Sequence, residues 1–317
     1  MTGKVNFGMC FSRKFEKVDP LGHIGEKRPT YINLFELANE KGWEGYAVTR
    51  RTYQGKGIFN GVWKFKDGNF ETLKERVKMD FIFDWVGDLK FPPKDEPDLK
   101  VVNIRKFKEL CWNKWEMYLR LKEFIPETFW VEDVRNEAEL EKVLSNIKTA
   151  WVVVKPTNGL KGRSVYVGPK ENVKDFDFDP GYKNYIVQEF VNTSGGIEGV
   201  TEGLHDLRVV VMNKKSVWSH VRVPEKGTYK ANVAQGGTLT EINLENIPSS
   251  LKAIVSEIAD SFYKEFDNPI YSIDFGMENG KPYIFEVNDQ IGFPLPNAKG
   301  KDNFLNELIN NFESKIT

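Results

Sequence analysis

Residues 272–288 of the chain, SIDFGMENGKPYIFEVN, decide its fold because they predict a hairpin with acidic side chains on one face. Asp274 lies in the first apolar run, Glu286 and Asn288 lie in the second, and Glu278-Asn279-Gly280 forms the turn. Alternate residues of a strand share a face, so Glu286 and Asn288 point the same way and Asp274 lies across from them. Two carboxylates and an amide suit Mg²⁺ completed by substrate phosphates, although a merely solvated polar face is the alternative.

The bulk composition excludes several classes of protein. A length of 317 residues predicts about two domains, and 45 Lys and Arg nearly cancel 46 Asp and Glu. No global field therefore favours nucleic acid or an anionic membrane. Cys10 and Cys111 have no metal-ligand spacing, which indicates buried thiols in a reducing compartment. No window reaches about 18 apolar residues, and the N-terminus does not have the pattern of a signal peptide, so we expect a cytoplasmic protein.

Strand and helix signals alternate along the whole chain. Before a boundary near residue 105 they predict strands at 5–9, 45–49 and 80–85, a helix at 31–41, a hairpin at 57–73 and a surface loop at 91–95. After it they predict strands at 128–131, 151–155, 165–168, 185–190, 207–212, 216–223, 271–277 and 282–288. Helices are predicted from about 113, at 136–145 and at 248–266. The pattern is that of a mixed α/β protein.

A buried strand ending in Lys155 leads into a glycine-containing loop, Asn158-Gly-Leu-Lys-Gly-Arg-Ser164. Backbone N–H groups of such a loop can approach phosphate oxygens, and Lys155 supplies a fixed positive charge. The spacing matches neither GxxxxGK[ST] nor GxGxxG, and a plain turn between two strands is an equal alternative.

A third cluster contains Asp206, Arg208 and Arg222, followed by Tyr229, Lys230, Asn232 and a Gln235-Gly-Gly237 turn. Guanidinium groups suit bidentate recognition of phosphate and carboxylate, with surface arginines as the alternative. Neither a GxSxG sequence nor a Cys/His pairing supports hydrolase chemistry, and the three histidines have no spacing that assigns a role.

In this order the motifs resemble the ATP-grasp superfamily, and within it the glutathione synthetase and ribosomal-protein glutamate ligase branch, over about residues 105–317. The resemblance implies an α/β fold of the α+β ATP-grasp type. An N-terminal α/β domain at 1–105 would precede an ATP-grasp domain at 106–317. That domain would divide into a lid subdomain at 106–188 and a metal and catalytic subdomain at 189–317.

The resemblance also implies roles for individual residues. The residues implied to bind nucleotide are Lys114, Lys155, Gly159, Lys161, Gly162, Ser164, Gln188, Glu189, Val191 and Asp206, with the adenine at Glu189 and Val191. The implied metal ligands are Asp274, Glu286 and Asn288, and the implied catalytic residues are Arg208, Arg222 and Asn232.

The implied activity is ligation that uses ATP and Mg²⁺, with Mn²⁺ as a substitute. A substrate carboxylate is activated as an acyl phosphate, and an amine or thiol then displaces phosphate. The partners would be a small molecule or peptide, with no nucleic acid and no membrane, and a homo-oligomer is left open. A phosphotransferase on the same fold and a nucleotide-binding regulatory protein are the alternatives. Arg13, Lys14, Arg50 and Arg51 are candidates for holding a substrate carboxylate, against the commoner reading of a solvated surface.

Overall fold

A computed structural model describes residues 4–11, 19–85, 97–159, 162–225, 227–229 and 237–316. Its helices are α1 (Arg28–Glu40), α2 (Arg105–Trp112), α3 (Lys114–Arg120), α4 (Glu137–Leu144), α5 (Ser249–Glu265) and α6 (Lys301–Ile316). The helices predicted at 31–41, from 113, at 136–145 and at 248–266 are confirmed, whereas α2 and α6 were not predicted. The loop predicted at 91–95 lies outside the described residues. None of the described helices is long and apolar enough to span a membrane.

The first sheet is built from the N-terminal third of the chain. Its strands are β1 (Asn6–Phe11), β2 (Glu44–Thr49), β3 (Tyr53–Gly55), β4 (Ile58–Lys66), β5 (Asn69–Lys78), β6 (Phe81–Asp84) and β7 (Lys100–Val102). The order is β3-β4-β2-β1-β6-β7, with β5 paired to β4. The strands β2, β1, β6 and β7 are parallel, as expected where a helix such as α1 connects two strands. The predicted hairpin is the β4–β5 pair.

The second sheet consists of four antiparallel strands in the order β10-β9-β11-β8. They are β8 (Thr128–Val131), β9 (Trp151–Pro156), β10 (Tyr166–Pro169) and β11 (Tyr185–Glu189). The sheet has a hydrophobic core of its own, in which Val152, Val154 and Val187 pack against Leu140 and Leu144 of α4. One face of the sheet is therefore free to line a cavity.

The third sheet has the order β14-β13-β12-β15-β16 and is antiparallel throughout. Its strands are β12 (Asp206–Met212), β13 (Lys215–Val223), β14 (Thr238–Glu241), β15 (Tyr271–Glu278) and β16 (Lys281–Asn288). In the turn between β15 and β16, Asn279 and Gly280 both have positive φ, at 51° and 77°, which suits a type I′ hairpin. One row of register partners crosses all five strands and consists of Glu286, Asp274, Arg208, His220 and Glu241.

Helix α6 joins the first and third sheets. Phe312 lies 5.1 Å from Phe7 and 5.2 Å from Phe81, measured between ring centroids. The same core contains Met212 and Trp218 of the third sheet. The proposed limits of the domains remain a prediction, and α6, which was assigned to the ATP-grasp part, packs against the N-terminal sheet. Cys10 and Cys111 are both buried, as expected.

Candidate nucleotide and metal site

A cavity of about 510 Å³ lies between the second and third sheets. Its volume is within the range usual for small-molecule sites. Most of the predicted site residues line it together. They are Lys114, Lys155, Gly159, Gly162, Gln188, Glu189, Val191, Asp206, Arg208, Arg222, Asp274, Glu286 and Asn288. Lys161 and Asn232 lie outside the described residues, as do Arg13 and Lys14.

The hairpin β15–β16 places its polar residues as the sequence predicted. Asp274 is the register partner of Glu286, and Asn288 follows two residues later on the same strand. The Asn288 side-chain amide lies 3.3 Å from Asp274 Oδ2. Buried Ile273, Phe275, Ile284 and Val287 surround these groups, and Asp274 itself is 3% exposed. The predicted, partly buried cluster is therefore present.

Two arginines from neighbouring strands neutralise Asp274. Arg208 donates from Nε and Nη2 to the two carboxylate oxygens, at 2.6 and 2.7 Å. Arg222 Nη2 donates to Asp274 Oδ2 at 2.8 Å. Burial alone raises the pKa of Asp274, but the charges and hydrogen bonds of the two guanidinium groups outweigh it and hold the pKa well below its usual range. Asp274 is thus ionised at neutral pH.

Asp206 and Arg222 carry buried polar atoms that the described residues do not satisfy. Arg222 Nη2 also donates to Asp206 Oδ2, and the two residues are register partners. Asp206 Oδ1 and Arg222 Nε, however, are buried and have no hydrogen-bond partner among the described residues. Burial, and then the nearby charge of Asp274, raise the pKa of Asp206. Unsatisfied buried polar atoms in a cavity wall are what a polar ligand would complete.

Mg²⁺ fits the donor set. Asp274 Oδ1 accepts one hydrogen bond, so one of its lone pairs is left. Lys114 pairs with Glu286 through Oε1, so Oε2 of Glu286 stays available as a ligand. Within the described part of the chain, the side-chain carbonyl oxygen of Asn288 is available as well. No group of three or more His, Cys, Asp or Glu side chains that could hold a metal occurs among the described residues. Two carboxylates and an amide would therefore need phosphate oxygens to complete a Mg²⁺ shell.

Two lysines reach the cavity from opposite elements. Asn113 caps α3 by accepting from the backbone N–H groups of Trp115 and Glu116, which fixes where Lys114 begins the helix. Lys114 Nζ lies 3.1 Å from Glu286 Oε1 and donates to the Gly159 carbonyl at 2.7 Å. Lys155 Nζ donates to the Phe285 carbonyl at 3.2 Å. Both ammonium groups therefore contact the β15–β16 hairpin.

The charge state of Lys155 depends on its surroundings. Burial lowers the pKa of Lys155 to about 8; the nearby charge of Lys114 also lowers it, and that of Glu286 opposes both. Burial also acts to raise the pKa of Glu286, but Lys114 and Lys155 outweigh it and the net shift is downward. A lysine whose charge depends on its neighbours is suited to an anionic ligand.

Some predicted nucleotide contacts are not made by side chains in this structure. Ser164 does not line the cavity, because its hydroxyl lies 2.9 Å from the Tyr185 hydroxyl and accepts from the Asp179 backbone N–H at 3.0 Å. Gln188 donates to Thr128 at 2.8 Å, and the Glu189 carboxylate accepts from the Lys148 backbone N–H at 3.0 Å. The Glu189 backbone N–H is not available to a base either, because it donates to the Glu127 carbonyl at 2.9 Å.

Several residues of the cavity wall were not predicted from the sequence. His205 Nδ1 lies 3.0 Å from the Gly203 carbonyl, and Nε2 accepts from the Met277 backbone N–H at 3.1 Å. Burial lowers the pKa of His205, so the ring is neutral with its proton on Nδ1. The hydrogen bond between His205 and Met277 holds the segment before Asp206 against β15. The other lining residues that were not predicted include Thr193, Phe190, Phe285 and Gln290, whereas Tyr229 belongs to the third cluster of the sequence and lines the cavity too.

Two antiparallel sheets face each other across this cavity, with Lys155 and Gly159 on the side of the second sheet and the carboxylate hairpin in the third. This arrangement is that of a nucleotide-binding fold of the ATP-grasp class. The chain belongs to the RimK-like ATP-grasp domain family, whose sequence profile matches residues 117–311. The resemblance seen in the sequence is confirmed.

Curated relatives and solved structures agree with this assignment. The chain is similar to a glutathione synthetase of Prochlorococcus marinus subsp. pastoris, with 23% identity over 270 residues that cover 78% of the chain and 82% of the relative. It is 27% identical over 164 residues to a probable alpha-L-glutamate ligase of Marinomonas sp., a match that spans 50% of each chain. The fold resembles D-alanyl-alanine synthetase A from Vibrio cholerae, with a TM-score of 0.67, 13% identity and 99% coverage of both chains. At that identity the likeness concerns the fold alone.

Proposed function

We propose that the protein is an ATP-dependent carboxylate-amine ligase that works through an acyl phosphate. One observation carries the proposal. Arg208 and Arg222 meet Asp274 in the same cavity wall as the Glu286–Lys114 ion pair, so cationic groups surround the place where a phosphoryl group would be transferred. The ligases among the relatives support the reading.

The nucleotide would lie along the cavity. Lys114 and Lys155 would bind its phosphates, and the backbone at Glu189 and Val191 would face the base. Asp274, Glu286 and Asn288 would hold Mg²⁺, which when bound neutralises charge on the phosphates. Asp206 Oδ1 and Arg222 Nε would gain ligand partners that they lack among the described residues.

The arginines would act in both half-reactions. In the first, a substrate carboxylate oxygen attacks the γ-phosphorus, the bond to ADP breaks, and Arg208 stabilises the charge on the transferred group. In the second, an amine attacks the acyl carbon, loses its proton to the departing phosphate or to water, and phosphate leaves. Arg222 would stabilise the oxyanion of the tetrahedral intermediate. Positioning and charge, without a protein nucleophile, account for the chemistry.

The direct test follows ADP and phosphate separately while the protein is incubated with Mg-ATP and a panel of amino acids, dipeptides and small thiols. Ligation releases both products in equal amounts and yields a condensed product by mass spectrometry. ADP without free phosphate, together with a stable phosphorylated compound, would replace this proposal with a phosphotransferase. The Glu286→Gln variant serves as the control for contaminating ATPase.

Arg50 and Arg51, which are candidates for binding a substrate carboxylate, are exposed.

We propose that the protein is located in the cytoplasm, because the thiols of Cys10 and Cys111 are buried and are not paired with each other. The division into a substrate-side domain, a lid and a metal-bearing part is likewise proposed, with the second and third sheets as the lid and the metal-bearing part.

A further inference from the structure

A second cavity lies beside α2, apart from the cavity between the second and third sheets, which is called the nucleotide cavity below. The volume of the second cavity is about 440 Å³, within the range usual for small-molecule sites. Arg105, Lys108, Glu109 and Trp112 line it. These residues recur at spacings of three and four, so they share one face of α2. Strand β7 and the last turn of α6 contribute further wall residues.

Positive charges outnumber negative charges in the wall of the second cavity. Its cationic side chains are Lys100, Arg105, Lys106, Lys108 and Lys315. Its acidic side chains are Asp84, Glu109 and Asp267. A concave surface with an excess of one sign of charge concentrates ions of the other sign. The ligand that suits this wall is therefore an anion.

Lys100 brings a positive charge to the wall without an acidic partner. Its Nζ donates to the backbone carbonyl of Lys315 at 2.6 Å, and it pairs with no carboxylate among the described residues. Lys315 is 6% exposed, and its Nζ lies 2.9 Å from Asp267 Oδ2. Burial lowers the pKa of Lys315; Asp267 opposes this shift, and the nearby charge of Lys100 adds to it. An anion beside the two ammonium groups would relieve their mutual repulsion.

The first turn of α2 carries charges of the sign that its dipole disfavours. Arg105 and Lys106 lie in this turn, which contains no acidic residue, and Ile104 at the N-cap provides no side-chain hydrogen bond. All three residues line the second cavity. The N-terminal end of a helix favours negative charge. A bound anion would therefore stabilise both the helix dipole and the two cations.

Trp112 forms a wall between the second cavity and the nucleotide cavity, since it lines both. Its Nε1 donates to Asp289 Oδ1 at 2.9 Å, and Asp289 directly follows the predicted metal ligand Asn288. Lys108 lines the second cavity, and its Nζ lies 3.7 Å from Asp289 Oδ2. A negative charge beside Lys108 would therefore reduce the positive potential near the β15–β16 hairpin.

We propose that the second cavity binds a small oxyanion, carrying either phosphate or carboxylate groups, and that the bound oxyanion weakens nucleotide binding across the wall formed by Trp112. Ammonium and guanidinium groups donate strong hydrogen bonds to both kinds of oxyanion. Binding of the oxyanion is independent of the proposed function. The effect on the nucleotide rests on the nucleotide site of that proposal, but not on ligation.

The first test is titration calorimetry with the full chain at constant ionic strength. Inorganic phosphate and succinate are the two probes, and the nucleotide cavity is first saturated with Mg-AMP-PNP, an ATP analogue that is not hydrolysed. The wild type is expected to bind phosphate if the site recognises phosphate groups, and succinate if it recognises carboxylates. Lys100→Gln is expected to weaken this binding about tenfold, because it replaces a charged donor with a neutral one.

Lys252→Gln is the matched control. Lys252 is exposed, its Nζ donates to the backbone carbonyl of Glu245 at 2.8 Å, and it lines neither cavity. This variant is expected to bind the probes within about twofold of the wild type. Binding of neither probe by the wild type would overturn the oxyanion site, and so would equal binding by the wild type and Lys100→Gln.

The second test titrates Mg-AMP-PNP with and without the oxyanion that binds. In the wild type the oxyanion is expected to weaken nucleotide binding about threefold, and the nucleotide must weaken oxyanion binding by the same factor. The same oxyanion concentration is expected to have less effect on Lys100→Gln. An undiminished effect in Lys100→Gln would show direct competition in the nucleotide cavity and would overturn the coupling, as would the absence of any effect in the wild type.

Failure of this proposal and failure of the proposed function give different results. A wild type that does not bind Mg-AMP-PNP would reject the nucleotide site and the coupling, while the comparison of Lys100→Gln with Lys252→Gln would still decide the oxyanion site. A wild type that shows both effects but joins no substrates would reject ligation alone.

Discussion

Arg208 and Asp274 face each other on β12 and β15, and the guanidinium group donates to both carboxylate oxygens. Asp274 is a predicted metal ligand, and it also neutralises two largely buried cations, Arg208 and Arg222. Asp274→Asn is expected to abolish turnover of Mg-ATP and to lower the free energy of unfolding by about 3 kcal/mol, because it leaves Arg208 without its counter-charge and Arg222 with Asp206 alone. Turnover assays and urea denaturation measure the two effects. Unchanged stability would contradict the structural half of the prediction.

Glu286→Gln separates metal binding from stability. The Glu286 side chain is 32% exposed, and its one ion pair among the described residues is with Lys114. We expect turnover to fall by about a hundredfold or more, while the free energy of unfolding changes by no more than about 1 kcal/mol. The comparison with Asp274→Asn in the same assays is the control. Near-normal activity in Glu286→Gln would remove this residue from the metal site.

The buried side chain of Lys108 links α2 to the first sheet and to the residue that follows β16. Lys108 Nζ lies 2.5 Å from Asp84 Oδ2 and 3.7 Å from Asp289 Oδ2, and both partners are buried. Lys108→Met removes the buried ammonium group that Asp84 and Asp289 share and is expected to cost about 3–5 kcal/mol in unfolding free energy. Lys106→Met is the matched control, since Lys106 lies on the same helix, is exposed and pairs with Glu265. The control is expected to cost less than about 1 kcal/mol, and an equal loss in the two variants would refute the argument.

Glu44 predicts a stability change at acid pH. Burial acts to raise its pKa, but hydrogen bonds from Lys64, Tyr46 and Lys4 outweigh it and lower the pKa from 4.5 to about 2. A carboxyl whose pKa is lower in the folded state stabilises the fold above its unfolded pKa and loses that effect as pH falls through the folded pKa. The stability difference between wild type and Glu44→Gln should therefore shrink as pH drops below 4.5 towards 2. Urea denaturation at several pH values checks this, and a constant difference would contradict it.

The sequence was informative wherever a short pattern determined a short structure. The alternation around Asp274 and Glu286 predicted both the hairpin and its shared face, because strand period and turn residues are local properties. The pairing of Arg208 with Asp274 could not be predicted in the same way. It depends on β12 lying beside β15 although 58 residues separate the end of one from the start of the other.

Helix α6 was not predicted from the sequence, for a different reason. Phe304, Leu308 and Phe312 recur at helical spacing, so a signal existed, but several asparagines weaken the local preference for helix. Its packing against both sheets stabilises the helix in a way that propensity does not capture. Ser164 illustrates the limit of family resemblance, since its motif position is retained while its hydroxyl is bound to Tyr185 and the Asp179 backbone.

The shared core built on α6 determines which part of the molecule can move as a unit. The first and third sheets bury Phe7, Met212, Trp218 and Phe312 in one continuous cluster, whereas the second sheet packs around its own valines. Rotating the first sheet against the third would break that cluster, but rotating the second sheet leaves its interior intact. We therefore expect the cavity to open by a rigid-body rotation of the β8–β11 sheet, with the hinge at Phe190 and the residues beside it. The first and third sheets would stay fixed relative to each other.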